Sequence, residues 1–349
     1  MNIILYGGIN KIIDCMDSDI EEIAVQSIWV FGNLAADSDK NIKKILNDNG
    51  IFDKILNILT FNNNVEIIKV STWSISNFLK NNECPSFEKS LNIFKILSKN
   101  LTEINTIDKD FIRDSGSIIS KVSFEHKILI NEFTKNNNFI QKIISFLDIE
   151  DEKIIINSVN IINDISTGNG EPIQKLIDYN ILDKLKKILL NETKPYIIKN
   201  VSWILSNIAC ENKKMVEILV NNDLIPILVN TFNSNVDIEV KKASLFAICN
   251  IFNRIKNKAE YIEKVMKEGF IKILLESLKI EDPECITISI ETINKILDLD
   301  KKINSNFKIL LKKLEIINIL KNLKLYPNEN VQHYAEKLSQ KFVDIEKEK

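Results

Sequence analysis

Apolar and polar positions along this chain recur with the spacing of helices. Take Trp29 as the origin of a helical wheel over Ile28-Trp29-Val30-Phe31-Gly32-Asn33-Leu34. Asn33 then falls at about 40° and Asp37 at about 80°, whereas Phe31 and Leu34 fall at about 200° and 140°. The same partition sets Ile75 and Phe78 apart from Trp73 and Asn77, and Leu205 and Ile208 apart from Trp203 and Asn207. Each segment therefore carries one apolar stripe suited to a core. A second stripe holds an indole and an amide one turn apart. Eight Gly and six Pro among 349 residues are few, and favour a mostly helical protein.

These segments keep a beat. Trp29 and Trp73 are 44 residues apart, and Trp203 follows after 130, close to three times 43. Intermediate copies should fall near 117 and 160. There the chain reads Asp114-Ser115-Gly116-Ser117-Ile118-Ile119-Ser120-Lys121 and Val159-Asn160-Ile161-Ile162-Asn163-Asp164. Phe246-Ala247-Ile248-Cys249-Asn250 comes 43 residues after Trp203, and a degraded copy spans Ile290 to Leu297. A second marker, a turn before an apolar helix start, repeats at Gly50-Ile51-Phe52, Asn138-Phe139-Ile140, Asn180-Ile181-Leu182, Asp223-Leu224-Ile225 and Gly269-Phe270-Ile271. A helical unit of this length matches armadillo or HEAT arrays. In such an array the core stripes pack on neighbouring repeats, and the remaining stripe lines a shared surface groove.

Charge and composition narrow the chemistry. The formal net charge is -2, which disfavours generic nucleic-acid binding. The five cysteines, Cys15, Cys84, Cys210, Cys249 and Cys285, lie far apart in no metal-binding spacing, so reduced thiols are expected. No apolar run approaches a membrane span, and Met1 to Gly8 is too short for a secretory signal. His126 and His333 are distant from one another, with no Cys or carboxylate spacing around them. Gly168-Asn169-Gly170 has no strand before it, so it reads as a turn and not a phosphate loop. No catalytic constellation, metal site or cofactor is expected, and the chain reads as a binding protein, not an enzyme. The closing run Val343-Asp344-Ile345-Glu346-Lys347-Glu348-Lys349 reads as a solvated helix end.

The phased pairs Trp29–Asn33 with Asp37, Trp73–Asn77 and Trp203–Asn207 resemble those of the importin alpha (karyopherin alpha) family. The stretch from Gly7-Gly8-Ile9 through Asp37-Ser38 resembles the end of that family's second repeat running into its third. Val331 to Phe342 resembles the last repeat's helix. The resemblance implies an all-α, right-handed armadillo superhelix. It would be one array over residues 1–349, of about eight to nine repeats, beginning within the second repeat. It implies a nuclear import adaptor of cytoplasm and nucleus that binds Lys/Arg-rich nuclear localisation signals as extended peptides. Trp29, Asn33, Asp37, Trp73, Asn77 and Asp114 would form the major site, and Trp203, Asn207, Phe246 and Asn250 the minor site. Parallel indoles would form slots for the aliphatic stems of ligand Lys or Arg. Asn amides would pair with the peptide backbone, and Asp37 and Asp114 with ligand cations.

The chain also departs from the family pattern. The importin-beta-binding segment, the first repeat and the second repeat's Trp–Asn pair are expected to be absent, leaving coupling to importin beta open, as is binding of an export receptor. Ser117 and Lys121 replace aromatics expected in the fifth repeat, Asp164 replaces an Asn, Ala243 replaces a Glu, and Phe246 replaces a Trp. Asp37 also reads as a helix-end residue and Phe246 also as packing. The alternative to transport is an armadillo scaffold holding a structural partner.

Overall fold

The computed structural model describes residues 8–347, apart from 38, 82, 105–107, 235–236, 256–258, 268, 304–308, 310 and 312–313. Met1–Gly7 and Ser38, and Glu348-Lys349 of the charged end, lie outside the described residues. The helices divide into two compact units, residues 1–179 and 180–349. The first holds α1 (Gly8–Cys15), α2 (Glu21–Ala36), α3 (Lys40–Asp48), α4 (Ile51–Phe61), α5 (Val65–Asn81), α6 (Phe87–Glu103), α7 (Lys109–Glu125), α8 (Ile130–Lys135), α9 (Asn137–Ser145), α10 (Glu152–Ser166) and α11 (Glu171–Asp178). The second holds α12 (Ile181–Asn191), α13 (Pro195–Glu211), α14 (Lys213–Asn221), α15 (Leu224–Asn233), α16 (Ile238–Arg254), α17 (Ala259–Lys267), α18 (Phe270–Ser277), α19 (Pro283–Ile303), α20 (Ile316–Leu323) and α21 (Glu329–Lys347). Val331 to Phe342 thus falls inside α21.

Most repeats are a short helix, a medium helix and a long one. The short-to-medium junction is where the second sequence marker sits. Gly50, Asn180, Asp223 and Gly269 stand there in the left-handed region, with φ of 62°, 59°, 54° and 82°. Asn138 differs: it lies inside α9, whose cap is Asn136, with its side-chain oxygen accepting from the Phe139 N–H at 3.0 Å. Some of the long helices begin at carboxylate caps. Asp108 accepts from the N–H groups of Asp110 and Phe111, Asp151 from Ile154, and Asp237 from Glu239.

The long helices stack side by side within each unit: α2 on α5, α5 on α7 and α7 on α10 in the first, and α13 on α16, α16 on α19 and α19 on α21 in the second. The core stripe is buried as the wheel requires, with Phe31, Ile75, Phe78, Leu205 and Ile208 all at 2% exposure or less. Leu34 is only partly covered. In unit 1, Phe94, Phe133 and Phe139 form an aromatic cluster with centroids 4.4–5.5 Å apart, tying α6 to α8 and α9.

The repeat period reappears in hydrogen bonds that tie one repeat to the next. Asn77 Nδ2 donates to the Gly32 carbonyl, Asn157 Nδ2 to the Arg113 carbonyl, and Asn250 Nδ2 to Ser206 Oγ, at sequence separations of 44 or 45. Lysines do the same at helix ends. Lys121, Lys175 and Lys264 reach back to the carbonyls of Leu79, Thr134 and Val220, each in the last turn of an earlier helix. Carbonyls in the last turn lack the full set of helical partners, and a cation there also suits the helix dipole. Lys186 reaches forward to Asn222 instead.

Candidate functional site

In unit 1 a cavity of about 700 Å³ opens beside α2, α5, α7 and the start of α10. Trp29, Trp73 and Asp114 line it together. Trp29 on α2 is 49% exposed, and Trp73 on α5 is half-buried. Their ring centroids are 6.5 Å apart and the planes 15° from parallel. Gly32 permits this approach: a Cβ there would lie 2.4 Å from Trp73 Cζ3 and 2.5 Å from Ser74 Oγ.

The geometry corrects one expectation. A methylene stem gripped on both faces needs about 3.5–4 Å to each ring, hence about 7 Å or more between planes. The 6.5 Å centroid separation is smaller. The stacked indoles form one aromatic plate, with too little room between them for a slot.

The amides divide. Asn33 is exposed, with Nδ2 donating to the Trp29 carbonyl one turn back at 3.1 Å. Asn77 is 4% exposed. Its Nδ2 donates to the Gly32 carbonyl at 3.2 Å, and its Oδ1 accepts from Lys80 Nζ at 2.8 Å. The Trp–Asn stripe is thus partly a helix–helix seam. The wheel did not show this because it places a residue on a face without counting its bonds. Asp37 leaves the stripe as well: the helix ends at Ala36, Asp37 is extended at φ -71°, and its carboxylate accepts from the Asp39 N–H at 2.9 Å.

Asp114 sits among both signs of charge. Its carboxyl is raised above the ordinary value by burial, with the Lys80 ammonium opposing that shift. Glu66, Asp108 and Asp110 line the same cavity, and so do Lys69, Lys80, Arg113 and Lys153. Lys69 bridges Glu66 at 3.0 Å and Asp108 at 2.9 Å. Arg113 pairs with Asp151 through Nε at 3.0 Å and also with Asp110. The sequence reading missed Lys69, Lys80 and Arg113; tallying basic residues on the groove stripe, Lys80 being one turn past Asn77, would have found them.

Farther along unit 1, Ser117 lines the cavity. Lys121 is committed to Leu79, as described. Asp164, 6% exposed, accepts from Ser123 Oγ and Lys127 Nζ, both at 2.6 Å. Here an internal ion pair stands where an amide was expected. In unit 2, Trp203 and Phe246 approach to 5.4 Å at 53°, so they are tilted and not parallel. Both rings are partly exposed. Asn250 donates to Ser206 Oγ at 3.0 Å, Asn207 is partly exposed and also engaged, and Ala243 is fully buried. His126 Nε2 lies 2.8 Å from the Pro85 carbonyl, with Phe87 edge-on.

A designed armadillo repeat protein in complex with the peptide (KR)4 matches 70% of this chain, with 25% identity and a TM-score of 0.61 over 99% of its own length. A computationally designed armadillo repeat protein for modular peptide recognition gives 26% and 0.62 over 70% of this chain and 99% of its own. The fold is an armadillo-repeat solenoid. No family model matches the chain. Among natural proteins it is similar to importin subunit alpha-1b of Oryza sativa subsp. japonica, with 23% identity over 96% of this chain and 63% of that protein. It is also similar to importin subunit alpha-5 of Arabidopsis thaliana, with 22% identity over 95% and 63%. The chain spans about three fifths of the length of these relatives. It is therefore importin-alpha-like in sequence and armadillo in fold, and its relatives are binding proteins and not enzymes.

Proposed function

We propose that this protein is a nuclear import adaptor of cytoplasm and nucleus, one armadillo array whose unit-1 groove binds Lys/Arg-rich nuclear localisation signals as extended peptides. The observation that carries the reading is the Trp29–Trp73 plate opening on a cavity that also holds Asp114. An aromatic plate takes the stems of long cationic side chains, and a desolvated carboxylate selects their charged ends. The designed relative bound to (KR)4 supports a basic ligand for such a groove. Trp203, Asn207, Phe246 and Asn250 would make a second, weaker peptide site. Importin beta and an export receptor are partners of the same proposal.

Binding of a labelled basic signal peptide, followed by fluorescence anisotropy at two salt concentrations, tests it. The expected Kd is micromolar or tighter and weakens with salt. The double variant W29A/W73A should lose most of the affinity; an unchanged Kd would remove the site assignment. The competing reading, a scaffold that holds one structural partner, draws on the internal pairing of Glu66, Asp108 and Asp110 in the cavity. Co-purification separates the two: importin beta or diverse basic cargo supports transport, and a single stoichiometric partner supports the scaffold.

A further inference from the structure

One repeat of unit 1 lacks its short helix. Where a short helix is present, it meets the short helix of the repeat before it. In unit 1, α11 packs on α8, and Lys175 donates to the Thr134 carbonyl. In unit 2, α17 is joined to α14 by Lys264 Nζ, which donates to the Val220 carbonyl at 2.9 Å. The short helix α3 has no such follower, because the chain passes from α5, ending at Asn81, into α6, starting at Phe87. A cavity of about 780 Å³ lies between α3 and the start of α6 instead. Leu46, Phe52, Phe78 and Leu79 give it an apolar floor. Its far wall is fixed. The Pro85 carbonyl accepts from Ser90 Oγ at 3.2 Å and lies 2.8 Å from His126 Nε2, and Lys89 bridges to Asp53 at 2.6 Å. Lys40, Lys43 and Lys44 line the cavity from one side of α3, at spacings that share a helix face. Lys40 and Lys44 are exposed and form no ion pair among the described residues. With Asp53 paired to Lys89, the carboxylates left in the lining are Asp48 and Glu83, fewer than the α3 lysines.

We propose that this notch is a separate docking site, which takes a short, acidic amphipathic helix of another protein in place of the missing repeat helix. The partner's apolar stripe covers the cavity floor, and its Asp or Glu side chains meet the lysines of α3. The shape follows from the array itself, which covers the corresponding helices α8 and α14 with helices of eight and nine residues. The charge follows from α3, whose lysine face favours an acidic helix over a basic one. The notch shares no lining residue with the Trp29–Trp73 cavity. Its occupant therefore differs in both conformation and charge from the extended basic peptide proposed for that cavity, and neither proposal depends on the other.

The probes are three labelled, hydrocarbon-stapled helical peptides of about three turns. One has a Leu stripe with Glu elsewhere, one the same stripe with Lys elsewhere, and one an Ala stripe with Glu elsewhere. Fluorescence anisotropy reads each Kd against the full chain, its K40E/K44E variant and W29A/W73A. The Leu–Glu peptide should bind the full chain about tenfold tighter than either of the others. K40E/K44E should weaken it about tenfold, the size of two exposed charge contacts, and W29A/W73A should leave it unchanged. A Leu–Glu peptide that binds no tighter than the Leu–Lys or Ala–Glu peptide overturns the proposal, and so does a Kd that K40E/K44E leaves unchanged. Weakening in W29A/W73A would place the peptide in the other cavity and overturn the notch as its site. Sedimentation velocity of the full chain covers the remaining occupant: a dimer that K40E/K44E dissolves would assign the notch to a second copy and overturn the partner helix. Far-ultraviolet circular dichroism confirms that K40E/K44E stays folded, as expected for two exposed side chains.

Discussion

The Arg113–Asp151 pair fastens α7 to the start of α10, and its contribution can be isolated by one substitution. Asp151 does two things: it caps α10 through the Ile154 N–H at 3.1 Å, and it accepts from Arg113. Asn caps a helix as well as Asp does, so Asp151→Asn keeps the cap and removes the charge. The Arg113 guanidinium holds the Asp151 carboxyl down from the ordinary 3.8 to about 2. At about 1.4 kcal/mol per pKa unit, that is about 2.4 kcal/mol before screening. The Arg113 side chain is 33% exposed, so solvent reduces the figure to about 1–1.5 kcal/mol. Because the folded value is depressed, the contribution is complete above the unfolded value and is lost as pH falls toward 2. About half remains at pH 3. Urea unfolding followed by tryptophan fluorescence measures it. A Trp203→Phe background leaves only Trp29 and Trp73, both in unit 1, as reporters. The expected result is a loss of about 1–1.5 kcal/mol in Asp151→Asn at pH 7 and about half that at pH 3. A loss that is equal at both pH values, or below about 0.3 kcal/mol at pH 7, would refute the argument.

Two further outcomes follow from packing and burial. Gly32→Ala places a methyl 2.4 Å from Trp73, so urea unfolding should show a destabilisation of about 1–3 kcal/mol, and the tryptophan emission of the folded protein should shift. Cys249 and Cys285 are fully buried, and burial pushes both thiols up to about 12. Iodoacetamide at pH 8 should therefore modify exposed Cys15 in the native protein and reach these two only in denaturant, as read by mass spectrometry.

The repeat was legible because two independent signals kept one period. The phased Trp–Asn pairs located the long helices. Gly50, Asn180, Asp223 and Gly269 located the left-handed junctions, since Gly, Asn and Asp are the residues that tolerate positive φ. Among the described residues, a fifth such junction is occupied by Glu315 at φ 58°. Glu carries no turn signal, so this junction was invisible in the sequence, whereas Asn138 carried the signal without the turn. Trp29, Trp73 and Asp114 were legible as groove residues because aromatic and charged side chains on a surface stripe stand out. The role of Asn77 was not. Whether an amide faces a ligand or a neighbouring helix depends on how closely the helices approach, and Gly32 sets that distance. The internal pairing of the cavity's carboxylates was hidden for a similar reason: Arg113 meets Asp151 38 residues away, and no local pattern links them.

Lys121, Lys175 and Lys264, which complete the last turn of an earlier helix, give the stack a sense of direction. Lys341 likewise reaches back, to the Asn294 carbonyl, whereas Lys109 and Lys186 reach forward. A cut that removes later repeats strips ammonium groups from main-chain oxygens, at about 1–3 kcal/mol for each one that neither water nor another N–H then reaches. A cut that removes earlier repeats merely releases a flexible lysine into solvent. Within each unit, unravelling from the carboxyl-terminal side should therefore spread inward more readily than unravelling from the amino-terminal side.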